Sequence, residues 1–194
     1  MAENEKSPFL KGKLLLAMPT LGDPRFHRAV IFMCAHDENG AMGLVISHVL
    51  PGLDFTDIIE KIQIPGETKN VLEELEIPVY GGGPVETSRG FLLHSPDFQQ
   101  KDTIKISESF SITGTVDALK AIASGKGPQN MLFLLGYAGW GAGQLDSEMQ
   151  QNAWLTVEAD VELVFVLNPK DKWEAGLKKI GVHPSMLSSL SGRA

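Results

Sequence analysis

Apolar positions along the chain fall into short runs of two kinds. In the first, neighbouring residues are apolar on both alternating faces, as in Leu14-Leu15-Leu16-Ala17-Met18 before Pro19 and in the stretch from Ala29 to Ala35. Strands covered on both sides read this way, so buried strands are expected over residues 13–18 and 29–35. Asp37-Glu38-Asn39-Gly40 follows, and Asn-Gly suits the positive φ of a hairpin turn; residues 42–47 should pair back on the preceding strand. Val79-Tyr80 and residues 91–94, 103–106, 109–112 and 131–137 read as further strands. In the second kind the spacing is helical: residues 54–62 with Asp54 as N-cap, 69–75 before Pro78, 116–123 ended by Gly125 and Gly127, 144–154, and 173–180. Residues 161–167 stay open between a strand and a helical turn capped by Asp160. Hairpins and helices are interspersed without β-α-β alternation, repeat or linker. The pattern predicts an α+β fold, one domain over 1–194, with a mixed, mostly antiparallel sheet and flanking helices. Residues 1–10 are expected as a flexible tail and 184–194 as peripheral.

Composition narrows the function classes. At 194 residues, 43% hydrophobic and 21% charged, the chain suits one globular domain and is too apolar for a disordered one. Seventeen Lys+Arg against 24 Asp+Glu give a net charge of −7. Its lysines occur as isolated pairs such as Lys11 with Lys13 and Lys178 with Lys179, so direct DNA binding is not expected. The single Cys34 forms no internal disulfide, the first residues carry no apolar leader, and no apolar run is long enough to span a bilayer. The expectation is a cytoplasmic protein with no membrane insertion.

Three blocks carry a family likeness. The first is Leu16-Ala17-Met18-Pro19-Thr20-Leu21 with Asp23-Pro24 and Phe26, running through Arg28-Ala29-Val30, Cys34 and His36 to Gly40-Ala41-Met42-Gly43-Leu44-Val45-Ile46. The second is Tyr80-Gly81-Gly82-Gly83-Pro84-Val85 with Arg89-Gly90-Phe91-Leu92-Leu93-His94. The third is Gly136-Tyr137-Ala138-Gly139-Trp140-Gly141-Ala142-Gly143-Gln144-Leu145, followed by Glu148 and Asn152-Ala153-Trp154-Leu155. In this order and spread over nearly the whole chain, they resemble the bacterial AlgH/YqgE family. The resemblance implies an α+β protein with a curved or split, barrel-like sheet. It also implies a regulatory role, since the family's name comes from a proposed part in alginate production, but it brings no established active site. One departure is Ser47-His48-Val49, where the family usually has Asn, a basic residue and Pro.

Candidate chemistry is sparse. Cys34 and His36, two apart on a strand, could share a face as thiol and base, or Cys34 could be an inert core residue. Arg25, Arg28 and Arg89 suit bidentate binding of an anion, helped by backbone N–H groups at Gly82, Gly83 and Gly141, with Trp140 stacked on a planar ligand. Alternatively each arginine fastens a loop through an internal acid such as Asp23 or Glu86, the glycines allow close packing, and Trp140 plugs the core. Dinucleotide and P-loop spacings, the Gly-x-Ser-x-Gly elbow and metal-binding Cys/His patterns are all absent from the sequence, so no metal or cofactor is expected. Two readings follow: a non-catalytic binding or regulatory protein using an unidentified protein partner or a small anionic ligand, or an enzyme on an anionic substrate with His36 or His94 as acid/base. Partner and oligomeric state are not legible.

Overall fold

The computed structural model describes residues 9–62, 76–114 and 116–187, so the helix expected over 69–75 lies outside the described residues. Among them ten strands join in one sheet. β1 (Lys13–Ala17) lies between β10 (Trp154–Glu158) and β2 (Val30–Asp37), antiparallel to both. β2 turns at Glu38-Asn39 into β3 (Gly40–Val45), the hairpin that Asn-Gly predicts. β3 then meets the long β9 (Met131–Gly141), which also borders β6 (Val85–His94) and runs parallel to β5 (Pro78–Gly81). β8 (Ser111–Thr113) and β7 (Ile104–Lys105) finish that side, and β4 (Val49–Asp54) pairs with β5. Among the described strands only the β5–β9 pair is parallel, and the sheet curls into a half-barrel.

β9 is the element that joins the two sides. Its residues 133–135 pair with β5 and its residues 138–141 with β3; Gly136, at φ +75°, lies at the change of neighbour. A left-handed backbone there favours glycine. The two-faced strands in turn explain their apolar runs. Leu14, Leu16, Val30 and Phe32 enter the interior cluster, whereas Leu15, Ile31 and Met33 enter a second cluster on the opposite face. α4 (Lys172–Lys179) and a π-helical turn (Glu162–Val166) cover the interior through Trp173, Leu177, Leu163 and Val164. α3 (Gln144–Gln150) covers the second face with Leu145. A third cluster sits under α1 (Phe55–Lys61) and α2 (Val116–Ala123), where Phe55, Ile59, Leu119 and Ile122 cover Val79, Leu92 and Phe133. Each such fully buried side chain contributes about 1.5–3 kcal/mol by leaving water.

Several boundaries differ from expectation. The helix expected over 144–154 stops at Gln150; Asn152 takes φ +57° and Trp154 opens β10. The strand expected over 131–137 continues to Gly141, so Trp140 and Gly141 belong to a strand and not to a loop. β6 begins six residues before Phe91, at Val85. In residues 161–167 the helical alternative holds, since Asp160 Oδ1 accepts the Leu163 N–H at 2.8 Å. Among the described residues no helix is long and apolar enough to cross a membrane.

Candidate functional site

Cys34 and His36 are separated by a bulge. Met33 stands opposite Gly43 and Ala35 opposite Met42, so Cys34 is an extra residue in β2 and the faces beyond it change. Cys34 stays in the interior cluster, while His36 stands opposite Ala41, which packs on the second cluster. The shared face expected from strand alternation is therefore corrected. His36 Nδ1 accepts the Leu10 N–H at 3.2 Å, and its Nε2 lies 3.7 Å from Asp146 Oδ2. Burial pushes the Cys34 thiol up to about 12, so it stays protonated and unreactive at neutral pH.

His94 is fully buried and its ring is held in one tautomer. The Ser95 carbonyl accepts from Nδ1–H at 2.8 Å, leaving Nε2 to accept from the Thr113 hydroxyl at 2.8 Å. Thr113 in turn accepts from Thr103 at 2.7 Å, and Thr103 accepts the Gln100 N–H at 2.8 Å. Every donor in this chain is spent on a protein acceptor. Burial holds the imidazole below its ordinary range, against the opposing pull of the Ser95 carbonyl and Asp97. The ring joins β6 to β8 and presents no free nitrogen to a substrate.

Arg25, Arg28 and Arg89 each have their own acid and their own ring. Arg25 Nη2 lies 2.7 Å from Asp23 Oδ2, and its guanidinium sits 6.0 Å from the Phe26 centroid. Arg28 meets Glu174 at 3.3 Å and covers Trp173 at 5.0 Å. Arg89 meets Glu86 at 3.1 Å and covers Phe91 at 5.1 Å. Asp23 and Glu86 are the two acids that the sequence offers as internal partners. Arg28 alone lines a cleft, of about 350 Å³ beside Gly22 and Trp173; neither Arg25 nor Arg89 lines that cleft, the apolar one below, or the one beside Lys178. A single hollow shared by three guanidiniums is not what this geometry contains. The departing segment Ser47-His48 is tied to the same loop: Ser47 Oγ accepts the Val30 N–H at 2.9 Å, and a His48 ring nitrogen lies 3.0 Å from the His27 carbonyl.

The glycine candidates are engaged by backbone. A Cβ on Gly82 would stand 2.3 Å from the Gly136 carbonyl oxygen, and one on Gly83 only 2.1 Å from the Tyr137 carbonyl carbon. Gly82 N–H donates to the Leu135 carbonyl at 2.7 Å, and its own carbonyl accepts the Val45 N–H at 2.8 Å. These contacts seat the 81–83 segment against β9 and β3, leaving no cradle of free donors at Gly82. Gly141 N–H is likewise taken, by Gln144 Oε1 at 3.0 Å. Trp140 is buried, and its indole N–H donates to Glu148 Oε2 at 2.9 Å; the Trp154 indole donates to the same oxygen at 2.8 Å. One carboxylate thus fastens α3 to β9 and β10.

Two features escaped the sequence reading. Lys172 is fully buried, donates to the Val164 carbonyl at 2.6 Å, and lies 5.5 Å from the Tyr80 ring centroid. Burial brings its ammonium down to about 8. Helical spacing could have found it, since Lys172 precedes Gly176 by four residues as Trp173 precedes Leu177, and all four are buried. The second is a cleft of about 390 Å³ beside α1 and α2, lined by Ile58, Leu119, Phe133 and Leu135 among others, with Ile62 and Val116 exposed. No local motif encodes it, because it forms where two helices spaced far apart in sequence cover one sheet face. Among the described residues no three His, Cys, Asp or Glu side chains converge as a metal site.

Comparison with known proteins agrees with this fold. The AlgH-like family model (DUF179) matches residues 14–185. A UPF0301 protein of Rhizorhabdus wittichii is 46% identical over 186 residues, covering 95% of this chain and 97% of its own. A Rhodospirillum rubrum relative is also 46% identical over 186 residues, covering 96% and 95%. The solution structure of the AlgH protein from Pseudomonas aeruginosa matches with a TM-score of 0.78 at 38% identity, over 100% of both chains. A crystal structure from Corynebacterium diphtheriae shares the fold, with a TM-score of 0.69 at 20% identity, over 92% and 89%. With a family match across most of its length and relatives this similar, the chain belongs to the AlgH-like family.

Proposed function

We propose that the protein acts by binding and not by catalysis, and that its ligand occupies the apolar cleft beside α1 and α2. The cleft carries this reading. Its volume of about 390 Å³ falls in the range of small-ligand sites, its walls are mostly aliphatic and aromatic, and exposed Ile62 and Val116 are among its lining residues. The alternative chemistry finds less support: the Cys34 thiol is held protonated, His94 has both nitrogens occupied, and Arg25, Arg28 and Arg89 are each paired.

The test is a thermal-shift screen of apolar small molecules against the wild-type protein and an Ile62→Glu/Val116→Glu variant. Both positions are exposed, so the fold should tolerate the change. Compounds that raise the wild-type Tm should leave the variant's Tm unmoved. Equal stabilisation of both proteins, or of neither, overturns the reading.

A further inference from the structure

We infer that the ligand of this cleft carries a single carboxylate at one end of an aliphatic or aromatic body. The inference rests on the cleft being a binding site, and adds the class of molecule that fits it. Among the described lining residues the only charged side chain is Lys61, at the end of α1; there is no Asp, Glu, Arg or second Lys. Among the described residues Lys61 has no carboxylate partner. By helical spacing its neighbour is Asp57, four residues earlier, but Asp57 Oδ2 accepts the Asp54 N–H at 2.9 Å in the capping box that starts the helix. Ser88 lines the same cleft, and among the described residues no group holds its hydroxyl, whereas the Thr113 hydroxyl is held by His94 and Thr103.

The chemistry follows from that inventory. An apolar body gains by leaving water against Ile58, Leu119, Phe133 and Leu135. A carboxylate at its end meets one ammonium and one hydroxyl donor, the right sign and number for a monoanion. A nucleotide or other polyanion would bring several charges to a site with one cation and would leave its polar body against hydrocarbon. An alkyl ammonium would meet the like charge of Lys61. Amphipathic monocarboxylates are therefore the class that the lining selects.

Isothermal titration below the micelle concentration, with decanoate, decanol and decylamine, tests the inference. Decanoate should bind most tightly and decylamine least. Lys61→Met should weaken decanoate by about twofold to fivefold and leave decanol unchanged, because only the exposed ion pair is lost. Lys170→Met, in a turn outside the cleft lining, should change neither. Val116→Glu should weaken both decanoate and decanol. If decanol binds as tightly as decanoate, or Lys61→Met has no effect, the carboxylate preference is overturned while cleft binding stands, provided Val116→Glu still weakens decanol. If no probe binds at all, the cleft reading falls with it.

Discussion

Lys172 is the residue at which burial and charge conflict most. It lies in the interior among apolar side chains, with one carbonyl acceptor and one aromatic face for an ammonium that can donate three hydrogen bonds. In the folded chain it titrates near 8, against 10.5 when free in water. Between those values the unfolded chain holds the proton more tightly, so stability rises as pH climbs from 8 towards 10.5. Below pH 8 the charged amine costs the fold about 3 kcal/mol. Lys172→Met removes that cost and loses the charge-assisted bond to Val164, worth about 1.5–2 kcal/mol, together with the contact on the Tyr80 face. Urea unfolding at pH 7 should find the variant more stable by about 1–2 kcal/mol, with the advantage gone by pH 10.5. A variant less stable at pH 7 with an unchanged pH slope would show that the amine is better solvated than its burial implies. Residue-level chemistry was only partly legible in the sequence. Arg25 with Asp23 and Arg89 with Glu86 are near neighbours in the chain, so their pairing could be read locally, whereas Arg28 finds Glu174 from 146 residues away.

At the scale of elements, residues 138–141, which the sequence leaves between a strand and a helix, are the end of β9. Gly82 and Gly83 press against β9, and Gly141 ends that strand. Gly83, at φ +150°, has no room for a methyl group, whereas Gly143, at φ +68°, has nothing within 4 Å of its Cβ position. Gly83→Ala should therefore cost more than about 4 kcal/mol, since backbone and not a flexible side chain must give way. Gly143→Ala should cost only about 1–2 kcal/mol, the strain of a left-handed alanine. Chemical denaturation of the pair separates the explanations; similar costs would mean that φ alone, and not close approach to β9, requires the glycines. Local signals also set which elements could be read. Asn39-Gly40 marked the β2–β3 hairpin, and Asp54 marked the start of α1. β4 was missed because Pro51 and Gly52 interrupt it, and most of its residues are exposed. β10 was missed and its first residue, Trp154, was read as helix, because the stop, Asn152 at φ +57°, is an asparagine and the apolar spacing continues through Trp154. The bulge at Cys34 has no side-chain signature, and so the one local rule that joined Cys34 to His36 failed there.

Across the whole molecule, β9 makes the two sides of the half-barrel interdependent. Its last residues pair with β3, its first with β5 and β6, and both sides send side chains into the same interior cluster. Phe32 of β2 and Phe110 ahead of β8 meet there with ring centroids 5.0 Å apart. A domain joined this way should open as one cooperative unit, with β1–β2–β10 unable to outlive β6–β8. Leu134 probes this because it is fully buried, stands opposite Tyr80 on one side and Phe91 on the other, and lies outside β1 and β2. Leu134→Ala should cost about 2–5 kcal/mol through lost burial and the cavity left behind. In native-state hydrogen exchange, the most protected amides of β1 and β2, such as those of Leu15 and Ile31, should then lose protection by the same factor as those of Leu92 and Leu93. Unchanged protection in β1 and β2, with β6 alone weakened, would instead divide the barrel into two separate units. In that case α1 and α2 with their cleft would belong to the weaker unit, and ligand binding there would stabilise β6 and β8 without protecting β1 and β2.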